Sequence, residues 1–88
     1  MKNKILVKII VPEIDDTFDI FIPVNEVIWK VKKMVVKGIN DLTSGLIDDK
    51  IEYCFMNIDS SKIYGNNEII INTDIRNASE LALLKIEK

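Results

Sequence analysis

The residue types that carry most acid-base and nucleophilic chemistry are scarce in this 88-residue sequence. It contains no histidine, which removes the commonest general base, and a single cysteine, Cys54, without a basic neighbour in the sequence. Cys54 falls in the middle of a strand-like run, so a half-buried and unreactive thiol is the favoured interpretation. We therefore predict that the protein is not an enzyme.

Two groups of carboxylates are the candidates for holding a cation. Asp15, Asp16 and Asp19 form one group, and Asp48 and Asp49 form the other. Both groups lie in turn-forming stretches, and the central glycine and terminal glutamate of a calcium loop are absent. We interpret these residues as solvated turn residues and expect no metal and no cofactor.

A row of lysines recurs at helical spacing at Lys30, Lys33 and Lys37, with Glu26 four residues before Lys30. Such a row is usually a solvated helix face. No aromatic or arginine cluster accompanies it and the net charge is −2, so we expect no nucleic-acid binding.

Length and composition predict one globular domain over residues 1–88, with 48% apolar residues. No window approaches the roughly 18 consecutive apolar residues that span a bilayer, so we expect no direct membrane insertion. The segment Lys2-Asn3-Lys4 is too charged for a signal peptide, and one cysteine allows no internal disulfide. We expect a cytoplasmic protein.

The elements that would position these side chains can be predicted from hydrophobic spacing. Apolar residues alternate over 5–11 and again over 17–22, and the turn-forming residues 12–16 between them predict a hairpin. A helix is predicted over 26–37, with Asn25 as its N-cap and Gly38 as its stop.

The predicted helix has two apolar stripes. Ile28, Val31 and Val35 form the core stripe, flanked by Val27 and Met34.

The second stripe is Trp29 and Val36, seven residues apart on a flank that also carries Lys32 and Lys33. It is a second candidate partner-binding patch. The alternative is that Trp29 covers the segment 58–64.

The second half of the chain is predicted to contain three more strands. The connection 40–50 is expected to carry Leu42, Leu46 and Ile47 into the core. The predicted strands are 51–58, 62–64 and 80–86, and a turn with positive φ is predicted at 65–67.

Several segments, in this order, carry a resemblance to a known family: the opening hairpin, residues 25–35, Tyr53-Cys54-Phe55-Met56, residues 68–75 and residues 80–84. With them the sequence resembles the ubiquitin superfamily over nearly its whole length. Among its branches it looks most like the small YukD- and EsaB-type proteins that accompany bacterial type VII secretion systems. The resemblance implies an α+β fold, the ubiquitin-like β-grasp, with a mixed four- to five-stranded sheet packed on one helix. It also implies that Ile70 and Ile75 plug the core before a polar turn at 76–79.

The sequence ends Leu84-Lys85-Ile86-Glu87-Lys88, without the Gly-Gly through which ubiquitin and the related sulfur carriers react. We therefore expect an unconjugated adaptor whose protein partner is a secretion-system ATPase or membrane component. A homodimer is an alternative assembly. The alternative functions are a regulatory subunit of a multicomponent oxygenase and, less favoured, a protein modifier or sulfur carrier.

The outward face of the sheet is the main candidate for binding a partner. If Ile5, Val7 and the inward residues of the other strands face the helix, then the apolar side chains that face outward are Leu6, Ile10, Phe21, Ala82 and Leu84. The resemblance adds Cys54, and it implies a docking role for Cys54, Ala82 and Leu84. Contiguous apolar patches of this kind usually mark contacts. The alternative is that a slipped register or a loop covers part of this face.

Overall fold

The computed structural model describes residues 3–86, which form four strands and one helix. The elements are β1 (Lys4–Val11), β2 (Asp16–Pro23), α1 (Ile28–Leu42), β3 (Tyr53–Asn57) and β4 (Glu80–Lys85), with single-turn 3-10 helices at Pro12–Ile14 and Ile70–Asn72. The strand order is β2-β1-β4-β3, with β1 parallel to β4 and the other neighbours antiparallel. The predicted fold class, a mixed sheet packed on one helix, is confirmed.

The hairpin of β1 and β2 forms because its two alternating runs are joined by a tight turn. Asp15 ends the 3-10 helix in a left-handed conformation, at φ 53°, which aspartate tolerates better than most residues. Val7, Ile9 and Val11 are buried beneath the helix, as the alternation predicts.

The core lies between the inner face of this sheet and one stripe of α1. Ile28, Val31 and Val35 are almost completely buried, and Ile39 continues their stripe by one more turn. Ile70 and Ile75, predicted to plug the core, are 0% and 1% exposed. At roughly 1.5 to 3 kcal/mol for each large apolar side chain, this burial is the main stabilising term of the domain.

The start of the helix differs from the prediction. It begins at Ile28, and Asn25 does not cap it. Instead, the backbone N–H of Ile28 donates to the carbonyl of Glu68 at 2.8 Å, and that of Trp29 donates to the carbonyl of Asn66 at 3.1 Å. The first helical N–H groups are therefore satisfied by a segment distant in sequence, and not by a neighbouring side chain.

The predicted stop at Gly38 is also wrong, because Gly38 lies inside α1. Ile39 is buried in the core, and the helix continues for one more turn beyond Gly38. It ends at Leu42 and is capped by Thr43, whose hydroxyl donates to the carbonyl of Ile39 at 2.7 Å.

The connection after the helix buries fewer residues than predicted. Ile47 reaches the core, but Leu42 and Leu46 are 71% and 63% exposed. Ser44 and Gly45 both have positive φ, and the chain reversal that they make presents Ile47 inward and leaves Leu46 outside.

Three predictions in the second half need correction. β3 and β4 are shorter than the strands predicted over 51–58 and 80–86. The segment 62–64 is not a strand, because it makes only one bridge, from Ile63 to Met56. The residues 65–67 do form a turn, with the N–H of Glu68 donating to the carbonyl of Gly65, but none of the three has a positive φ.

We predict that Gly38→Ala stabilises the protein. A Cβ at this position would have no heavy atom within 4 Å, and alanine in a helix interior is favoured over glycine by about 0.5 to 1 kcal/mol. Urea unfolding followed by circular dichroism measures the change. A loss of stability would show that residue 38 is not in a regular helix.

Candidate protein-binding surfaces

The outward face of the sheet presents the apolar side chains that the alternation predicts. Phe21 is 63% exposed, while Leu6, Ile10, Cys54 and Leu84 are half-buried. Ala82 lies on the same face but is only 3% exposed, because its side chain is short and lies between the cross-strand neighbours Ile10 and Met56. Ala82 can line a contact surface there without projecting from it.

The predicted set is not one contiguous patch. Lys8 lies opposite Asp19 on β2 and opposite Glu80 on β4, so a row of three charged residues crosses the face. Leu6 and Phe21 pair with each other on one side of this row. Because β1 and β4 are parallel in this register, Leu84 falls on the other side, far from Leu6.

The larger apolar group lies beyond the charged row, and we call it the β3–β4 patch. Ile10 lies beside Ala82, Ala82 beside Met56, and Met56 beside Ile63, while Leu84 and Cys54 face each other in the next row. The patch consists of Ile10, Cys54, Met56, Ile63, Ala82 and Leu84. Ile63 is its most projecting member, at 57% exposed. Four chain segments thus contribute to one apolar surface.

Met56 and Ile63 belong to this patch but were not predicted. Met56 follows Cys54 by two residues, so the period of two along a strand was sufficient to place it. Ile63 could not be placed from spacing, because its position depends on the single bridge to Met56.

In the second candidate patch, the helix flank of Trp29 and Val36, only one of the two side chains is exposed. Trp29 is 45% exposed, whereas Val36 is 6% exposed and packs in the core. Trp29 lies beside Asn66, to whose carbonyl its backbone N–H donates, and both residues line one cleft. Val36 belongs to the core cluster, so Trp29 is the exposed member of this pair.

This flank borders a cleft of about 320 Å³ between α1 and the segment that leads into β3. Trp29, Lys33 and Lys37 line it on the helix side, and Ile51 and Tyr53 line it opposite. We call it the α1–β3 cleft. It combines an apolar interior with a lysine-bearing rim.

Three polar contacts hold the wall of the cleft that lies opposite the helix. The ammonium of Lys32, a residue that is only 9% exposed, donates to the carbonyl of Tyr53 at 2.8 Å. The hydroxyl of Tyr53 donates to Glu13 at 2.9 Å, and Glu13 pairs with Lys85 at 3.4 Å. These contacts tie β3 to the helix and to the hairpin turn, so the opposite wall of the cleft is fixed.

A second tyrosine is held in a similar way near the end of β3. The hydroxyl of Tyr64 donates to Asp74 and accepts from the side-chain amide of Asn57 at 3.2 Å. Burial, reinforced by the hydrogen bond to Asp74, raises the pKa of Tyr64 to about 12. The same hydrogen bond lowers the pKa of Asp74.

The remaining chemical candidates are exposed or half-buried, but Asp16 and Asp19 lie in β2 and not in a turn as predicted. Cys54 is a free, half-buried thiol, and Asp15, Asp16, Asp19, Asp48 and Asp49 are exposed. Within residues 3–86, no group of three histidine, cysteine, aspartate or glutamate side chains is arranged to hold a metal ion. Glu26 and Lys30 form the predicted pair at 3.8 Å. No helix in the described part of the chain has the length and apolar character needed to cross a membrane.

No protein-family model and no curated protein matches the sequence. Among solved structures, a chain of the MycP5-free ESX-5 inner membrane complex in State II superposes with a TM-score of 0.80 at 11% identity, over 98% of this chain. This chain spans 22% of that neighbour's length.

Two smaller neighbours are covered almost completely. The ubiquitin-like domain of Plasmodium falciparum Dsk2 matches at a TM-score of 0.73 and 14% identity, over 94% of this chain and 99% of that one. A chain of the toluene 4 monooxygenase HD complex with the inhibitor 4-bromobenzoate matches at a TM-score of 0.76 and 7% identity, over 94% and 99%. The fold is therefore the ubiquitin-like β-grasp.

We predict that the two tyrosines ionise at a higher pH in the folded protein than in the unfolded chain. Burial, with the Glu13 hydrogen bond second, raises the pKa of Tyr53 to about 12, the same value as for Tyr64. Both folded-state pKa values exceed the unfolded value of about 10. The two protonated tyrosines therefore contribute to the free energy of unfolding in full below pH ~10, and this contribution is lost as the pH rises towards ~12.

Tyrosinate absorbance during an alkaline titration tests this expectation. The folded protein should titrate near pH 12 and the protein in denaturant near pH 10, while Tyr64→Phe should halve the amplitude without moving the remaining transition. Titration of the folded protein near pH 10 would contradict the described tyrosine contacts.

Proposed function

We propose that this domain is a non-enzymatic ubiquitin-like adaptor that binds a larger protein through the β3–β4 patch. The observation that carries the proposal is the patch itself. All its members except Ile63 come from strands whose inward neighbours fill the core, so apolar residues occupy both faces of the sheet at this end. A water-facing apolar surface of this kind is typical of a contact site.

The energetics of the patch suit a protein contact. Full burial of an exposed leucine or isoleucine contributes about 1.5 to 3 kcal/mol. Leu84 is already half-buried and Ile63 is 57% exposed, so each would gain about half of this against a partner. Together they supply part of the roughly 8 kcal/mol of a micromolar complex, and the other members of the patch add to it. Ala82 is 3% exposed between Ile10 and Met56, so its larger neighbours would make the contact.

We further propose that the partner belongs to a type VII secretion system and that the protein acts in the cytoplasm. The likeness to a chain of the ESX-5 inner membrane complex supports this assignment. The expected partner is a secretion ATPase or one of the membrane components, because the sequence resembles the YukD- and EsaB-type proteins that accompany such systems. The tail on which the expectation of an unconjugated protein rests ends in residues 87 and 88, which lie outside the described residues.

A regulatory subunit of a multicomponent oxygenase is the second candidate. The match to a chain of the toluene 4 monooxygenase complex favours it, because that chain is covered over 99% of its length. Both candidates require a large protein partner, and they differ in which partner it is.

The test is capture of partners from native cells with tagged wild-type protein and with Leu84→Glu. The wild type is expected to recover secretion-system membrane proteins, and Leu84→Glu to recover them at least roughly tenfold less, since a charge replaces a buried apolar contact. Recovery of oxygenase subunits would select the second candidate. Equal recovery with Leu84→Glu would contradict the patch.

Three further variants control this experiment. Leu42→Glu changes a side chain that is 71% exposed and remote from the patch, so it should bind as the wild type does. Phe21→Glu tests the apolar pair of Leu6 and Phe21, which the charged row separates from the patch. This variant should also retain binding if the β3–β4 patch acts alone. Leu83→Glu changes a side chain that is 1% exposed in the core, and should unfold the domain where Leu84→Glu does not.

A further inference from the structure

The α1–β3 cleft has the features of a binding site in its own right. Its volume of about 320 Å³ falls at the lower end of the range for ligand pockets, and its interior is mostly apolar. Trp29 supplies a large and partly exposed aromatic wall, and Ile51 a half-buried aliphatic one. One large apolar side chain of a partner can be accommodated between them.

The helix-side rim of the cleft carries positive charge that the protein does not neutralise. Lys33 is exposed and makes no ion pair among the residues that the structure describes. Lys37 pairs only with Asp41, at 3.9 Å and with both side chains about 70% exposed, and such a pair contributes little. These two ammonium groups are available to a ligand's carboxylates.

We propose that the α1–β3 cleft binds a linear segment of a protein partner in which an aromatic or aliphatic side chain is adjacent to acidic residues. The apolar side chain enters between Trp29 and Ile51, and the acidic residues contact Lys33 and Lys37. The indole and the ammonium groups lie on one helix flank, so a single extended segment reaches both.

The far side of the cleft favours such a segment over an anionic membrane surface. Asp49 and Glu52 line that side. A flat anionic surface would approach the exposed carboxylate of Asp49 together with the lysines and would be repelled by it. A narrow peptide can place its carboxylates along the lysine rim alone.

This inference goes beyond the proposed adaptor function and does not depend on the β3–β4 patch. α1 covers the inner face of the sheet, whereas the patch lies on the outer face. The two surfaces can therefore be occupied at the same time and tested separately.

The experiment uses a random-peptide phage library selected on the full chain. We expect enriched peptides that combine an aromatic or aliphatic residue with neighbouring acidic residues. A synthetic peptide of the enriched sequence is then titrated while the fluorescence of Trp29, the only tryptophan, is recorded. Binding should change the emission and weaken as salt is added.

Matched variants distinguish binding in the cleft from binding elsewhere on the domain. Lys33→Glu should weaken peptide binding by roughly tenfold, because repulsion replaces attraction at the rim. Lys4→Glu makes the same change in net charge at an exposed position on β1, away from the cleft, and should leave binding unchanged. Leu84→Glu should also leave it unchanged, since that residue belongs to the β3–β4 patch.

The proposal is overturned if no peptide is enriched, if the enriched peptides lack acidic residues, or if Lys33→Glu and Lys4→Glu bind alike. It is also overturned if Leu84→Glu abolishes binding, which would assign the peptides to the sheet face. Vesicles containing phosphatidylserine serve as the remaining probe. Their binding to the wild type in a Lys33-dependent way, without peptide binding, would assign the flank to a membrane surface.

Discussion

The burial of one helix stripe against one face of the sheet is the constraint on which the rest of this structure depends. Ile28, Val31, Val35 and Ile39 are at most 1% exposed, and they pack against the inward side chains of the sheet. Because side chains alternate along a strand, this packing also decides which residues face outward. The inward residues alone fill the core. The apolar residues of the outer face are therefore additional ones that core packing does not require.

The same packing creates two separate candidate binding surfaces. Strand pairing gathers Ile10, Met56 and Leu84 on the outer face, although they come from three strands. On the other side, the helix turns Trp29 and Lys33 away from the core and towards the segment before β3. A small domain that can contact two protein surfaces at once is suited to joining components of an assembly, and this is the role that we propose.

The sequence predicted most of the fold because periods of two and 3.6 residues record which side chains are buried. It did not predict the helix ends, because the start is capped by the carbonyls of Glu68 and Asn66 and the end is extended by burial of Ile39. The sequence predicted which residues of the candidate patch face outward, but not how these residues are grouped on the surface. Lys8 meets Asp19 through the hairpin register of β1 and β2, and it meets Glu80 through the parallel register of β1 and β4, which no local pattern encodes.

The central claim is that a larger protein contacts the β3–β4 patch, and crosslinking at Ile63 in living cells tests it most directly. This side chain is 57% exposed at the edge of the patch, so a photoreactive amino acid can replace it without disturbing the core. We predict a defined adduct with one larger protein from position 63, and none from the control position Leu42, which is more exposed still. Adducts from both positions, adducts only with a second copy of this chain, or none from position 63 would contradict the account.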